Sequence, residues 1–328
     1  MARTMGNVSK IVRSLKAFTR EFSRPPQLPG IVTPEFKRPK IGIALGGGFA
    51  RGLAHVGVLK VLEQNDIPVD FVAGTSVGSV IGAAYCSGMS PTELEEVARL
   101  VRMKDFARWT ISRFGLATND RMAGFLGRIL KCKTFEELRV PLAVVATDFV
   151  TGEGAVFTKG PLVDPVRASC AYPGMFLPVK VNGQTLVDGL LAQAVPTPAL
   201  REMGAERVLA IYLSAHWVNL KGPRHVFDVI GQCFSIAQAK MCHVWQSSAD
   251  LILQPDVRGF SYDAFDRADE LVAVGEAAAR QALPTLLEWV GRGEEAPAVA
   301  KTAAPIVTEP VSVPTGAPTP ATAPAVSG

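Results

Sequence analysis

Two short apolar runs, Ile41 to Leu45 and Phe71 to Ala73, each break into a glycine-rich turn and then into apolar positions at helical spacing. The first passes through Gly46-Gly47-Gly48-Phe49-Ala50-Arg51-Gly52 to Leu53, Val56, Val58, Leu59 and Leu62. The second passes through Gly74-Thr75-Ser76-Val77-Gly78 to the small-residue stretch Ser79 to Tyr85. Strand, tight turn and helix in repeated succession are the unit of a parallel α/β architecture. Further along, Pro91 to Val101 reads as an amphipathic helix with Ser90 as its N-cap. Pro141 to Thr147 and Arg207 to Leu213 read as buried strands, Val226 to Ile252 as a long helix with a terminal apolar strand, and Ala268 to Val290 as another helix. Large apolar side chains crowd the segment between: Phe106, Trp109, Ile111, Phe114 and Leu116, then Met122, Phe125, Leu126, Ile129 and Leu130. That crowding suits a cap over an apolar groove, and its second half suits an ordinary core helix equally well.

The two ends of the chain depart from this pattern. In the N-terminal segment 1–35, Val8, Ile11, Val12, Leu15, Phe18 and Phe22 recur at helical spacing, and within residues 1–25 Arg3, Lys10, Arg13, Lys16, Arg20 and Arg24 stand against Glu21 alone. The result is a basic amphipathic helix of net +5 in a chain of net +4, suited either to an anionic membrane surface or to packing on its own domain. No continuous apolar region follows the cations, so this is not a secretory signal. No basic patch continues beyond it, which speaks against a nucleic-acid partner. Residues 294–328 turn to Ala, Pro, Thr and Val, a composition expected to form a disordered, partly extended spacer. Between the ends, residues 36–293 are long enough, in a chain that is 48% hydrophobic, to bury the core of one large domain. The longest apolar stretch, Val77 to Cys86, is short and interrupted by Gly78, Ser79 and Gly82, so no transmembrane helix is expected. Five scattered cysteines show neither metal-ligand spacing nor a disulfide framework; free thiols in a reducing, cytoplasmic compartment are expected.

Within this frame, Ser76 is the first candidate for chemistry. A serine between two glycines at a strand-to-helix turn has the layout of a nucleophile elbow, which stands the hydroxyl at a helix N-terminus. A glycine-rich turn with a capping serine leaves the same five-residue pattern. Upstream, consecutive glycines free backbone N–H groups to converge on a point of negative charge. A dinucleotide site uses similar parts, but Arg51 occupies the third glycine position of G-x-G-x-x-G, and no Walker lysine follows. Leu186-Val187-Asp188-Gly189-Leu190 delivers an aspartate from a short apolar stretch. Histidine is scarce: His55 falls one turn into a helix, His216 and His225 flank a loop, and His243 sits in an amphipathic helix. None occupies a tight strand-end turn, so a serine and aspartate pair fits better than a triad.

These residues resemble the patatin-like phospholipases, especially the bacterial members and the neuropathy-target-esterase group. The resemblance runs from about Lys40 to about Pro255. It takes in the glycine loop with its arginine, the Ser76 elbow, Ala146-Thr147-Asp148 before Thr151-Gly152, the stretch Val166 to Phe176, and Val187-Asp188-Gly189. It implies a three-layer α/β/α sandwich around a mostly parallel sheet. It also implies Ser76 as nucleophile, Asp188 as its base, and the backbone of Gly47, Gly48 and Phe49 as oxyanion hole. Gly46, Arg51, Gly52, Gly74, Gly78 and Gly189 complete the motifs, with Arg51 bracing the glycine loop and Asp148 held in structural hydrogen bonds. Phe49, Leu190 and Gln193-Ala194 depart from the residues usual in relatives and reshape the pocket.

The expectation is therefore a serine acyl-hydrolase acting on phospholipid or lysophospholipid through an acyl-enzyme, with no metal or organic cofactor. Its other partner is an anionic membrane surface met by residues 1–25, peripheral to the inner membrane face. Two alternatives stand beside it: a nucleotide-binding oxidoreductase using the glycine loop, and a non-catalytic membrane-binding module. Oligomeric state is not legible.

Overall fold

The computed structural model describes residues 37–112, 115–213 and 226–293. The basic segment 1–35 and the tail 294–328 lie outside the described residues, so the expectations for them rest on sequence alone. Along the chain run β1 (Ile41–Leu45), α1 (Ala54–Gln64), β2 (Phe71–Thr75), α2 (Val77–Cys86) and α3 (Pro91–Leu100). They are followed by β3 (Arg108–Ser112), β4 (Gly115–Thr118), α4 (Asp120–Ile129), β5 (Leu142–Asp148), β6 (Gly154–Phe157) and α5 (Val163–Ser169). The last elements are β7 (Val179–Val181), β8 (Gln184–Asp188), α6 (Thr197–Glu202), β9 (Arg207–Ile211), α7 (Val226–Gln246), β10 (Leu251–Leu253) and α8 (Ala268–Trp289).

The central sheet has the order β10-β9-β1-β2-β5-β8-β7, with β6 also paired to β5. The five strands from β10 to β5 are parallel, while β8 returns antiparallel to β5 and β7 antiparallel to β8. Both faces of β1 are buried, which is why its sequence is a continuous apolar run rather than an alternation. Ile43 and Leu45 pack into one cluster with Leu59 and Leu62 of α1 and with Leu271 and Leu286 of α8. Ala44, Ala73 and Ala143 pack into another with Leu200 of α6 and Trp245 of α7. The sheet is thus the middle of three layers, a mixed α/β fold with a central mostly parallel sheet flanked by helices.

Local signals account for several boundaries. At α3 the Ser90 hydroxyl accepts from Glu93 N–H at 3.2 Å and the Glu93 carboxylate accepts from Ser90 N–H at 2.7 Å, a reciprocal cap. The segment expected to be a cap starts instead as an antiparallel hairpin, β3 with β4, before α4 takes up the core positions Met122, Phe125 and Leu126. In that hairpin Trp109 is 73% exposed and Leu116 also faces outward, while Ala117 is buried. The bulky residues on the outer side mask the two-residue alternation that would have marked strands.

The ends of β1, β2 and β9 fall level, with Leu45 beside both Gly74 and Ile211. Turns leaving that edge of the sheet bring the glycine loop and Ser76 together, the usual place for a site in such a fold.

Candidate active site

Ser76 sits between the end of β2 and the first residue of α2 with φ 54° and ψ −127°. That left-handed conformation costs a non-glycine residue about 1–3 kcal/mol, and the surroundings enforce it. A Cβ on Gly74 would stand 2.5 Å from the Gly78 carbonyl oxygen, and one on Gly78 would collide with the Leu45 carbonyl. Both glycines are therefore required by close backbone approach. The Ser76 N–H donates to Ser169 Oγ at 2.8 Å, and Ser169 Oγ–H donates to the Val145 carbonyl at 2.6 Å. Ser79 Oγ–H donates to the Ser76 carbonyl at 2.6 Å. Ser169, fully buried at the end of α5, was given no role by sequence reasoning; its partner lies 93 residues away and no local signal marks the contact.

Asp188 reaches Ser76 across β5. Thr75 pairs with Val145 on one side of that strand and Asp188 with Ala146 on the other, one rung apart. Ser76 Oγ–H donates directly to Asp188 Oδ2 at 2.8 Å, and Leu190 N–H donates to Oδ1 at 3.0 Å. The aspartate backbone is fixed by its N–H to the Ala171 carbonyl at 2.9 Å and by Thr147 Oγ1–H to its carbonyl at 2.8 Å. At 1% exposure, burial pushes the Asp188 pKa up to about 7, against the opposing pull of the Leu190 amide and the Ser76 hydroxyl. His55 is fully buried, its Nε2–H donating to the Gly46 carbonyl at 2.8 Å. Desolvation lowers its pKa to about 4, leaving a neutral brace under the glycine loop. His243 is exposed on α7, and His216 and His225 lie outside the described residues.

The glycine loop requires one correction. Gly47 N–H is committed to the Ala194 carbonyl at 3.2 Å, so it does not point at a ligand. That removes Gly47 from the cradle expected of Gly47, Gly48 and Phe49. Gly48 N–H has no acceptor among the described residues, and Phe49 beside it has φ 52°. Neighbouring contacts hold the loop: Ala50 N–H donates to the Tyr262 carbonyl at 3.0 Å and the Phe49 ring meets Tyr172 edge-on at 5.0 Å. Arg51 is buried and its Nε–H donates to the Phe260 carbonyl at 3.0 Å, tying the loop to the segment before α8 rather than pointing from a helix surface. Asp148 accepts from Val150 N–H at 2.8 Å and Thr151 N–H at 3.1 Å through one oxygen, and from Gln184 through the other. Those bonds lower its pKa and close a turn without engaging Ser76.

From Ser76 a hollow of about 90 Å³ runs between α2, α3 and α4, walled by Val80, Leu94, Val97, Met122, Phe125 and Phe265. It contains no charged side chain; its polar groups are the Ser76 hydroxyl and the Cys170 thiol. Burial and the nearby Asp188 carboxyl push the thiol pKa up, so Cys170 stays neutral and acts as part of the wall. The segment read as a cap thus contributes Phe106, Met122, Phe125 and Ile129 to the hollow, while Trp109 and Leu116 do not line it. A hydroxyl touching a carboxylate that titrates near neutrality, a free amide and an uncharged slot together suit attack on a carbonyl attached to an apolar chain.

Residues 43–201 match the family described as patatin-like phospholipase. Over 223 residues the chain is 29% identical to an uncharacterized NTE family protein of Mycobacterium tuberculosis, covering 58% of this chain and 58% of that protein. Over 182 residues it is 36% identical to patatin-like phospholipase domain-containing protein 6 of Homo sapiens, covering 52% of this chain and 13% of that protein. The chain thus matches just over half the length of the first relative and a small part of the second. VipD from Legionella pneumophila has the same fold at a TM-score of 0.50 and 12% identity, covering 76% of this chain and 67% of that one.

Proposed function

We propose, from the match of residues 43–201 to the patatin-like phospholipase family, that this chain is a serine acyl-hydrolase cleaving lipid carboxylic esters, with Ser76 as nucleophile and Asp188 as base. The observation that carries the reading is the 2.8 Å contact between Ser76 Oγ and Asp188 Oδ2 at the end of an apolar hollow. Asp188 takes the Ser76 proton as the oxygen attacks the ester carbonyl carbon. The oxyanion is received by the amides of Gly48 and Phe49, helped by the N-terminus of α2. Collapse of the tetrahedral intermediate breaks the carbon–alkoxy bond, and Asp188 returns the proton to the departing alcohol. The acyl group remains on Ser76 until Asp188 deprotonates a water that releases the fatty acid. A base titrating near 7 is well matched to neutral pH, as a carboxylate near 3.9 would not be.

The hollow supports a straight apolar acyl chain, and the family match supports phospholipid or lysophospholipid as its carrier. The net +5 of residues 1–25 supports docking on an anionic bilayer. The test is to incubate the protein and its Ser76→Ala variant with mixed lipid vesicles and identify released fatty acids by mass spectrometry. Release by the wild type and none by the variant is expected; equal release by both contradicts the reading.

Two smaller effects follow. Val80→Trp fills the hollow one turn from Ser76 and is expected to lower kcat/KM for long-chain relative to short-chain esters by about tenfold, read from an acyl-length series. Ser169→Ala leaves the buried Ser76 N–H without its acceptor, a loss of about 1–3 kcal/mol that is expected to appear as roughly a 5- to 160-fold fall in kcat. KM is expected to change less than kcat, and Ser169→Thr, which keeps the hydroxyl, to recover part of the rate.

A further inference from the structure

Two hollows flank the reaction centre, and no residue lines both. The second, of about 80 Å³, lies between α7 and the backbone turn that follows Asp188; Leu190, Phe234, Met241 and Trp245 are among its walls. Like the first it contains no charged side chain. Leu190 lines this hollow and also reaches the glycine loop beside Ser76. A Cβ built on Gly47 would lie 2.5 Å from Leu190 Cδ2 and 3.2 Å from Ser76 Cβ, so the leucine methyl and the serine side chain both border the space beside Gly47. Leu190 is 9% exposed and belongs to the cluster that includes Phe49, Tyr172, Phe176 and Phe234. Phe49 and Phe176 line the first hollow and Phe234 the second, while Tyr172 meets the Phe49 and Phe234 rings, each at 5.0 Å. The cluster joins residues of the two hollows, and Leu190 is the member that follows Asp188 by two residues.

We infer that Leu190 is the residue that sets how bulky the alcohol side of the ester can be, by closing the second hollow to the reaction centre. This rests on the serine-hydrolase reading. With the acyl chain in the first hollow and the oxyanion on the glycine loop, the alkoxy group takes the remaining direction. That direction is constrained by chemistry: the leaving oxygen must receive its proton from Asp188. It therefore lies on the aspartate's side, where Leu190 follows two residues later and its own N–H binds the same carboxylate. The side chain blocks a long alkyl group on that oxygen from entering an uncharged hollow otherwise suited to it. Shortening Leu190 joins the hollow to the site without disturbing the backbone bond to Asp188.

The test compares kcat/KM for methyl octanoate and octyl octanoate, presented in the same detergent micelles, for the wild type, Leu190→Val, Leu190→Ala and Leu190→Ala with Ala237→Trp. Ala237 lies on the far wall of the second hollow, so the tryptophan refills it. The wild type is expected to favour the methyl ester about tenfold or more, valine to reduce that preference and alanine to bring it within about threefold. Tryptophan at position 237 is expected to restore it to about tenfold. If the alanine variant fails to fold by circular dichroism, the valine variant alone decides. An unchanged ratio across folded variants that still cleave methyl octanoate overturns the inference. Equal cleavage of methyl octanoate by wild type and Ser76→Ala overturns the hydrolase reading beneath it instead.

Discussion

Ser76→Ala and Asp188→Asn are each expected to lower kcat/KM on carboxylic esters by about 10⁴-fold or more. Alanine removes the attacking oxygen outright. Asparagine preserves the shape of Asp188 and can still accept from Leu190 N–H, yet has no oxygen basic enough to take the serine proton at neutral pH. Among the described residues no imidazole stands between the two to substitute for it, since Ser76 Oγ–H donates to the carboxylate directly. The two side chains act on one proton, so combining the substitutions is expected to cost little more than either alone. Ester turnover followed alongside circular dichroism separates this from unfolding. A double variant far slower than either single variant would mean that the two residues contribute independently.

Asp188→Asn is also expected to stabilise the fold in mildly alkaline solution. The folded pKa of about 7 lies above the roughly 3.9 of an exposed aspartate, so between these values the native state holds more protons than the unfolded chain. Stability contributed by this group therefore falls as pH rises from about 4 to about 7, and does not fall further above. Asparagine removes that penalty, on the order of 4 kcal/mol at pH 8 and little at pH 4. His55 acts with the opposite sign. Its folded pKa of about 4 lies below its ordinary 6.5, so stability from neutral His55 is present above 6.5 and lost as pH falls through about 4. The two slopes oppose each other in the wild type over roughly pH 4 to 6.5, and Asp188→Asn is expected to expose the His55 rise. Urea melts at pH 4.5, 6 and 8 measure both; a variant less stable than wild type at pH 8 contradicts the assignment of a strained, buried carboxylate.

Elements whose causes are local were legible in the sequence. The apolar runs of β1 and β2, the Ser90 cap and the α8 periodicity carry their own boundaries to within a few residues. The turns that hold Ser76 and Asp188 were legible from their glycine neighbours, while the pairing of the two side chains was implied by the family resemblance and not by the residues alone. What escaped depends on distant partners. The Gly47 amide looked available because its acceptor, the Ala194 carbonyl, comes from the other half of the fold. Ser169 reads as one small residue among several until α5 sets it under the Ser76 amide. Trp109 and Leu116 suggested a buried cap because hydrophobicity alone does not reveal that a hairpin turns them outward.

The claim everything else depends on is that Asp188 draws the proton from Ser76 without an intermediary, and labelling by a fluorophosphonate probe across pH 5 to 9 tests it most directly. Intact-mass and peptide spectra of the wild type are expected to place one adduct on Ser76, at a rate rising through a midpoint near pH 7, while Asp188→Asn labels far more slowly at every pH. An adduct on another residue, or an asparagine variant that keeps the wild-type rate and midpoint, would contradict it.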